Sequence, residues 1–79
     1  MSSTRKAHPP LRAFGAAVAA CRRGRGLSQE ALALETGIAR SYLSGVERGV
    51  RNISLLNIVR LAKALNITVA KLMQGIDQG

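Results

Sequence analysis

The sequence predicts an all-α fold, a compact bundle of five short helices, and three observations carry that prediction. Apolar residues recur every three or four positions, residues able to cap or stop a helix stand at the ends of each such run, and the core-forming residues are almost all aliphatic. Hydrophobic residues make up 47% of the chain and aromatic residues only 3%, so the interior has to be built from Leu, Ile, Val and Ala packed between helices. With 79 residues there is room for one modest core, and a single domain is expected.

Residues 1–10 are polar and basic, show no apolar period and end in Pro9-Pro10; they read as a mobile tail ahead of a domain spanning residues 11–76. Arg5, Lys6 and Arg12 offer a second use for this end as a basic arm on DNA phosphates or in a minor groove. From Leu11 the apolar positions Leu11, Phe14, Val18 and Cys21 form one stripe of a first helix that ends near Gly24. Gly24-Arg25-Gly26 breaks it, Leu27 re-enters the core, and Ser28 can cap a second helix running from Gln29 to Thr36. Gly37 permits an abrupt stop and Ile38 covers the turn from the apolar side.

A third helix begins around Arg40. Leu43 and Val46 point inward; Arg40, Ser41, Ser44, Gly45 and Arg48 are left for the opposite side, and Gly49 ends the helix. After the loop 50–53, Ser54 caps a fourth helix with the inward set Leu55, Ile58, Leu61, Ala62 and Leu65, which Asn66-Ile67 interrupts. Thr68 caps a short fifth helix carrying Val69, Leu72 and Met73, before Gly75 and a polar tail. No internal repeat is present.

Twelve Lys and Arg against four Asp and Glu leave a net charge of +8, a potential that attracts polyanions, nucleic acid first. Charge alone is also compatible with a solvated basic surface without a specific partner. Cys21 is the only cysteine and His8 the only histidine, so neither an internal disulfide nor a His/Cys metal cage can form, and no cofactor is expected. Arg5 and Lys6 ahead of an Ala-rich run ending Val18-Ala19-Ala20-Cys21 imitate a lipoprotein signal. Residues 13–20 are too weakly apolar for one, and cleavage before Cys21 would remove core residues of the first helix. No other stretch could span a membrane, so a cytoplasmic protein is expected. Catalysis lacks parts: the acids Glu30, Glu35, Glu47 and Asp77 are scattered, and neither a general-base pair nor a phosphate loop is present. An enzyme is not expected, and no small-molecule ligand is evident.

Two short helices joined around Gly37, with Leu32, Ala33, Ile38, Leu43 and Val46 at these spacings, form a helix-turn-helix pattern. Ala33 is small where the helices cross, and the larger residues hold the crossing angle. Gly26-Leu27-Ser28-Gln29-Glu30-Ala31-Leu32-Ala33, followed by Ser41-Tyr42-Leu43-Ser44-Gly45-Val46-Glu47-Arg48-Gly49, resembles the lambdoid-repressor-like (Cro/C1, or XRE) helix-turn-helix family over residues 11–73. Residues 40–48 with Arg51-Asn52 are most similar to the controller proteins of restriction-modification systems. The resemblance implies a five-helix DNA-binding domain whose third helix lies in the major groove, with the second crossing above it.

By position it implies base contacts from Arg40, Ser41 and Ser44, where an arginine suits guanine O6 and N7. It implies phosphate contacts from Gln29, Tyr42, Arg51 and Asn52, with simple packing as the alternative for Tyr42. It further implies a shielded ion pair between Arg22 and Glu47. Two positions depart from the family. Ala39 replaces the usual capping Ser or Thr, and Gly45 removes a side chain from the middle of the recognition face, permitting either close approach to DNA or the reading of fewer bases.

One recognition helix reads too few base pairs to select a genomic site, so the expected state is a two-fold homodimer on a roughly palindromic double-stranded operator. Leu56, Val59, Met73 and Ile76 exceed what one small core needs and are the expected dimer surface. Half-site centres should then lie about 34 Å, or roughly 10 base pairs, apart. An antitoxin or protein-binding module with the same fold is the alternative, motivated by Leu34, where relatives carry a polar residue; a sequence-blind nucleoid or RNA binder is a third.

Overall fold

A computed structural model describes residues 8–78, and all the regular structure among them is helical. In chain order it comprises α1 (Pro9–Gly24), α2 (Gln29–Thr36), α3 (Arg40–Glu47), α4 (Leu55–Leu65) and α5 (Val69–Leu72), then a 3-10 turn, Ile76–Gln78, that packs back on α1. The expectations for residues 1–7, Arg5 and Lys6 included, lie outside the described residues. Pro9 and Pro10, read from sequence as tail, are instead the first turn of α1. A proline there gives up an N–H that no helical carbonyl would accept, and its φ is already helical. Arg12 therefore belongs to the first helix.

Local chemistry accounts for most helix ends. Ser28, Ser54 and Thr68 accept hydrogen bonds from the N–H groups of Ala31, Asn57 and Lys71 at 3.0, 3.1 and 3.0 Å. Ala39 offers α3 no side-chain cap. Gly37, at φ 76°, donates its N–H to the Ala33 carbonyl and turns the chain from α2 into α3. Gly49, at φ 78°, ends α3, with its own N–H on Val46 O and that of Val50 on Gly45 O, both at 3.0 Å. Asn66 serves the same purpose after α4 at φ 60°.

Phe14 and Val18 of α1, Leu32 of α2, Leu43 and Val46 of α3, Leu61 and Leu65 of α4 and Leu72 of α5 converge in one core. Leu55, expected to point inward, is 72% exposed. It lies in phase with Ile58, Ala62 and Leu65, but it is the first residue of α4, and Ile53 of the preceding loop packs against the core. Of the residues assigned to a second surface, Met73 and Ile76 pack partly against the monomer core, beside Leu11 and Phe14. Val59 is half-buried and Leu56 is 59% exposed.

The tightest joint is between α1 and α3. A Cβ at Gly15 would lie 2.2 Å from the Val46 carbonyl oxygen and 2.6 Å from that of Glu47. One at Gly49 would lie 2.7 Å from Cα of Arg12. These backbone atoms cannot rotate away as a side chain could. Gly15→Ala is therefore expected to destabilise the fold by about 1–3 kcal/mol even though alanine favours the helix by roughly 1 kcal/mol. Urea denaturation at matched m-values measures it, and a neutral or stabilising result would refute the joint.

Candidate nucleic-acid interface

Helices α2 and α3 share Leu32, Ala33, Ile38, Leu43 and Val46 as a buried seam. That seam sets which residues of α3 face out. Leu43 and Val46 are consumed by the core, and Tyr42 and Gly45 turn toward the loop after the helix. Arg40, Ser41 and Arg48 are left exposed and Ser44 half-exposed, at spacings that put them on one outward strip. Ser44 Oγ accepts a hydrogen bond from Arg48 Nη1 at 2.9 Å. Arg48 thus joins the expected Arg40, Ser41 and Ser44. Its place one and two turns beyond Ser44 and Arg40 was the signal available in the sequence.

The far end of α3 is held by charge. Arg22 Nε donates to Glu47 Oε2 at 2.7 Å and Nη2 to Oε1 at 3.0 Å, while Nη1 reaches the Leu27 carbonyl at 2.8 Å. The side chains of Arg22 and Glu47 are only 10% and 5% exposed. Gln29 Nε2 donates to the same Glu47 Oε1 at 2.9 Å, so the side chain expected on a phosphate is engaged within the protein. Burial by itself pushes the Glu47 carboxyl up; hydrogen bonds from Arg22 and Gln29 and the charges of Arg22 and Arg23 outweigh it and hold the group below its usual range. The hydrogen bond to Glu47 likewise raises the Arg22 guanidinium against the effect of burial.

The loop after α3 is tied back to it. Tyr42 is half-buried against the core and its hydroxyl donates to the Asn52 carbonyl, which ties the loop to α3. The Arg51 guanidinium carbon stands 5.1 Å from the centre of the Tyr42 ring. Arg51 and Asn52 are both exposed. Gly45, read from sequence as a gap in the recognition face, is buried beneath the Arg51 stem. Arg12, in the first turn of α1, lies against Gly49 and adds a cation near the end of α3.

Among the described residues no cluster of His, Cys, Asp and Glu could hold a metal ion, and no helix is long and apolar enough to cross a membrane.

Removing one partner of the buried pair leaves the other charge without compensation, so Glu47→Ala is expected to cost about 3–5 kcal/mol of folding stability. A loss under about 1 kcal/mol would be that of a solvated pair. Because the folded-state pKa of Glu47 is depressed, its stabilisation is present above the unfolded value of about 4.3 and is lost as pH falls through the lower folded value. Denaturation from pH 7 down to pH 3 should therefore show a steeper acid loss in the wild type than in Glu47→Gln.

The sequence pattern of the helix-turn-helix family matches residues 18–72. The chain is 49% identical over 57 residues to the control protein C.SmaI of Serratia marcescens, taking in 67% of this chain and 68% of that one. Its structure superposes on the restriction-modification controller protein C.AhdI from Aeromonas hydrophila with a TM-score of 0.80 and 49% identity, over 82% of this chain and 98% of that one. SinR, a master regulator for biofilm formation solved in complex with DNA, superposes with a TM-score of 0.72 and 32% identity, over 75% and 95% of the two chains. The pattern match and these likenesses agree with the α2–turn–α3 geometry, and the chain belongs to the Cro/C1-type helix-turn-helix family of DNA-binding transcriptional regulators.

Proposed function

We propose that the protein binds a specific, roughly palindromic double-stranded DNA operator as a homodimer and regulates transcription in the manner of a restriction-modification controller. The observation that carries this reading is the outward strip Arg40, Ser41, Ser44 and Arg48 on a helix whose other sides are all occupied. Arg40 and the two serines supply donors and acceptors for base edges, while Arg51, Asn52 and the first-turn N–H groups of α2 at Gln29 and Glu30 supply backbone contacts. C.SmaI and C.AhdI, named as controllers, support the narrower assignment. The reading is of a binder, with no catalytic step assigned to any residue.

Base and phosphate contacts separate experimentally. Arg40→Ala should weaken operator binding by about 1–3 kcal/mol and leave binding to random duplex nearly unchanged. Arg51→Ala should weaken both and make the log–log salt slope shallower by roughly 0.9. Equal losses on both DNAs for Arg40→Ala would make Arg40 a phosphate contact; an unchanged slope would remove Arg51 from the backbone set.

We assign the homodimer to Leu56, Val59, Met73 and Ile76, a choice supported by the exposure of Leu56 and of its neighbour Leu55. Sedimentation at micromolar concentration should give a dimer that Leu56→Asp dissociates without unfolding. A monomer that binds a half-site as tightly as the full palindrome would overturn this.

A protein-partner reading is favoured by Leu34, 81% exposed on α2 between Glu30 and Glu35. Stoichiometric copurification of an untagged protein, abolished by Leu34→Ser, would support it; full operator binding by Leu34→Ser with no such partner would remove it.

A further inference from the structure

We propose that Gly45 is a positioning residue for Arg51: by presenting no side chain it opens a seat in α3 for the arginine stem, which holds the guanidinium over the Tyr42 ring and ready for a DNA phosphate. The seat rests on packing alone; its use on DNA rests on the function proposed above.

Glycine is a poor choice for the middle of a helix, so its presence there needs a cause. Backbone freedom is not the cause, since Gly45 is absent from the positive-φ positions, which are Gly26, Gly37, Gly49 and Asn66. Nor is close approach to DNA, because Gly45 is buried by the protein itself. What occupies the space is Arg51. A Cβ at position 45 would lie 2.4 Å from Arg51 Cγ and 3.4 Å from its Cδ. Cγ is near the root of the side chain, so making room for a methyl group requires the whole arginine to swing.

The seat is closed on both sides. Val50 N–H bonds to the Gly45 carbonyl at 3.0 Å, and the Tyr42 hydroxyl bonds to the Asn52 carbonyl, so the residues flanking Arg51 are both tied to α3. With its stem on Gly45 and its guanidinium 5.1 Å from the Tyr42 ring centre, the arginine has little freedom left. Among the described residues the one ion pair is Arg22–Glu47, so no carboxylate neutralises the Arg51 charge. A cation that is ordered beforehand and uncompensated loses less conformational freedom when it meets a phosphate.

The test is a double-mutant cycle of wild type, Gly45→Ala, Arg51→Ala and the double variant, read by thermal melting without DNA and by titration of random-sequence duplex at several salt concentrations. On DNA, Gly45→Ala should weaken binding by roughly three- to tenfold, the scale of ordering one long side chain. The double variant should bind no more weakly than Arg51→Ala alone. In melting, alanine at 45 should raise Tm when Arg51 has been removed and the seat is empty, and should not raise it in the wild type. Equal Tm changes in the two backgrounds, or additive losses on DNA, would overturn the proposal. If Arg51→Ala itself leaves DNA binding unchanged, the phosphate role of Arg51 fails, and the melting cycle alone decides whether the seat exists.

Discussion

Three helices meet on one carboxylate. Glu47, in the last turn of α3, accepts two hydrogen bonds from Arg22 of α1 and one from Gln29 at the start of α2, while Arg22 also grips the Leu27 carbonyl in the connection between them. Each charge is nearly withdrawn from water, which would be costly alone and is offset only because the partners are placed to meet it. Such a pair adds less to net stability than to orientation: it is satisfied in one arrangement of α1, α2 and α3 and badly unsatisfied in others. At the opposite end of the motif the turn at Gly37 joins α2 to α3, so the recognition helix is fixed at both ends.

The rest of α3 follows from that constraint. Gly15 lets α1 come against the backbone of Val46 and Glu47, close enough for Arg22 to reach the carboxylate without stretching. With one side of α3 on the core and another under Tyr42, Arg51 and the loop, the strip of Arg40, Ser41, Ser44 and Arg48 is what remains for a ligand. A rigid helix presenting a few polar side chains is suited to reading base edges, since donors and acceptors must be placed before binding for the wrong base to be penalised.

Much of this was legible in the sequence because it is local. Ser28, Ser54 and Thr68 announce helix starts, Gly37 and Gly49 helix ends, and the three-residue spacing of Leu43 and Val46 separates the inner from the outer side of α3. The Arg22–Glu47 contact was expected through family resemblance, since the two residues are far apart in the chain and neither is distinctive by itself. Other features depend on what lies across from a residue, which no local pattern records. Leu55 has the right angular phase, but periodicity does not say whether a neighbour lies across from it. Gly15 carries no signal in the sequence and Gly45 reads as a gap in the recognition face, whereas the first meets a backbone and the second an arginine stem. For Tyr42 the resemblance implies a phosphate contact or simple packing, and neither announces the bond from its hydroxyl to the Asn52 carbonyl.

The central claim is that the outward strip of α3, held by the Glu47 junction, is the surface that meets DNA. Backbone amide shifts followed by NMR during titration with an operator duplex selected from a random pool test it most directly. The account predicts the largest changes at Gln29, from Arg40 to Arg48, and at Arg51 and Asn52, with Phe14 and Val18 in the middle of α1 little affected. Changes centred on Leu34 and Glu35, or on the outer side of α4 at Arg60 and Lys63, would contradict it.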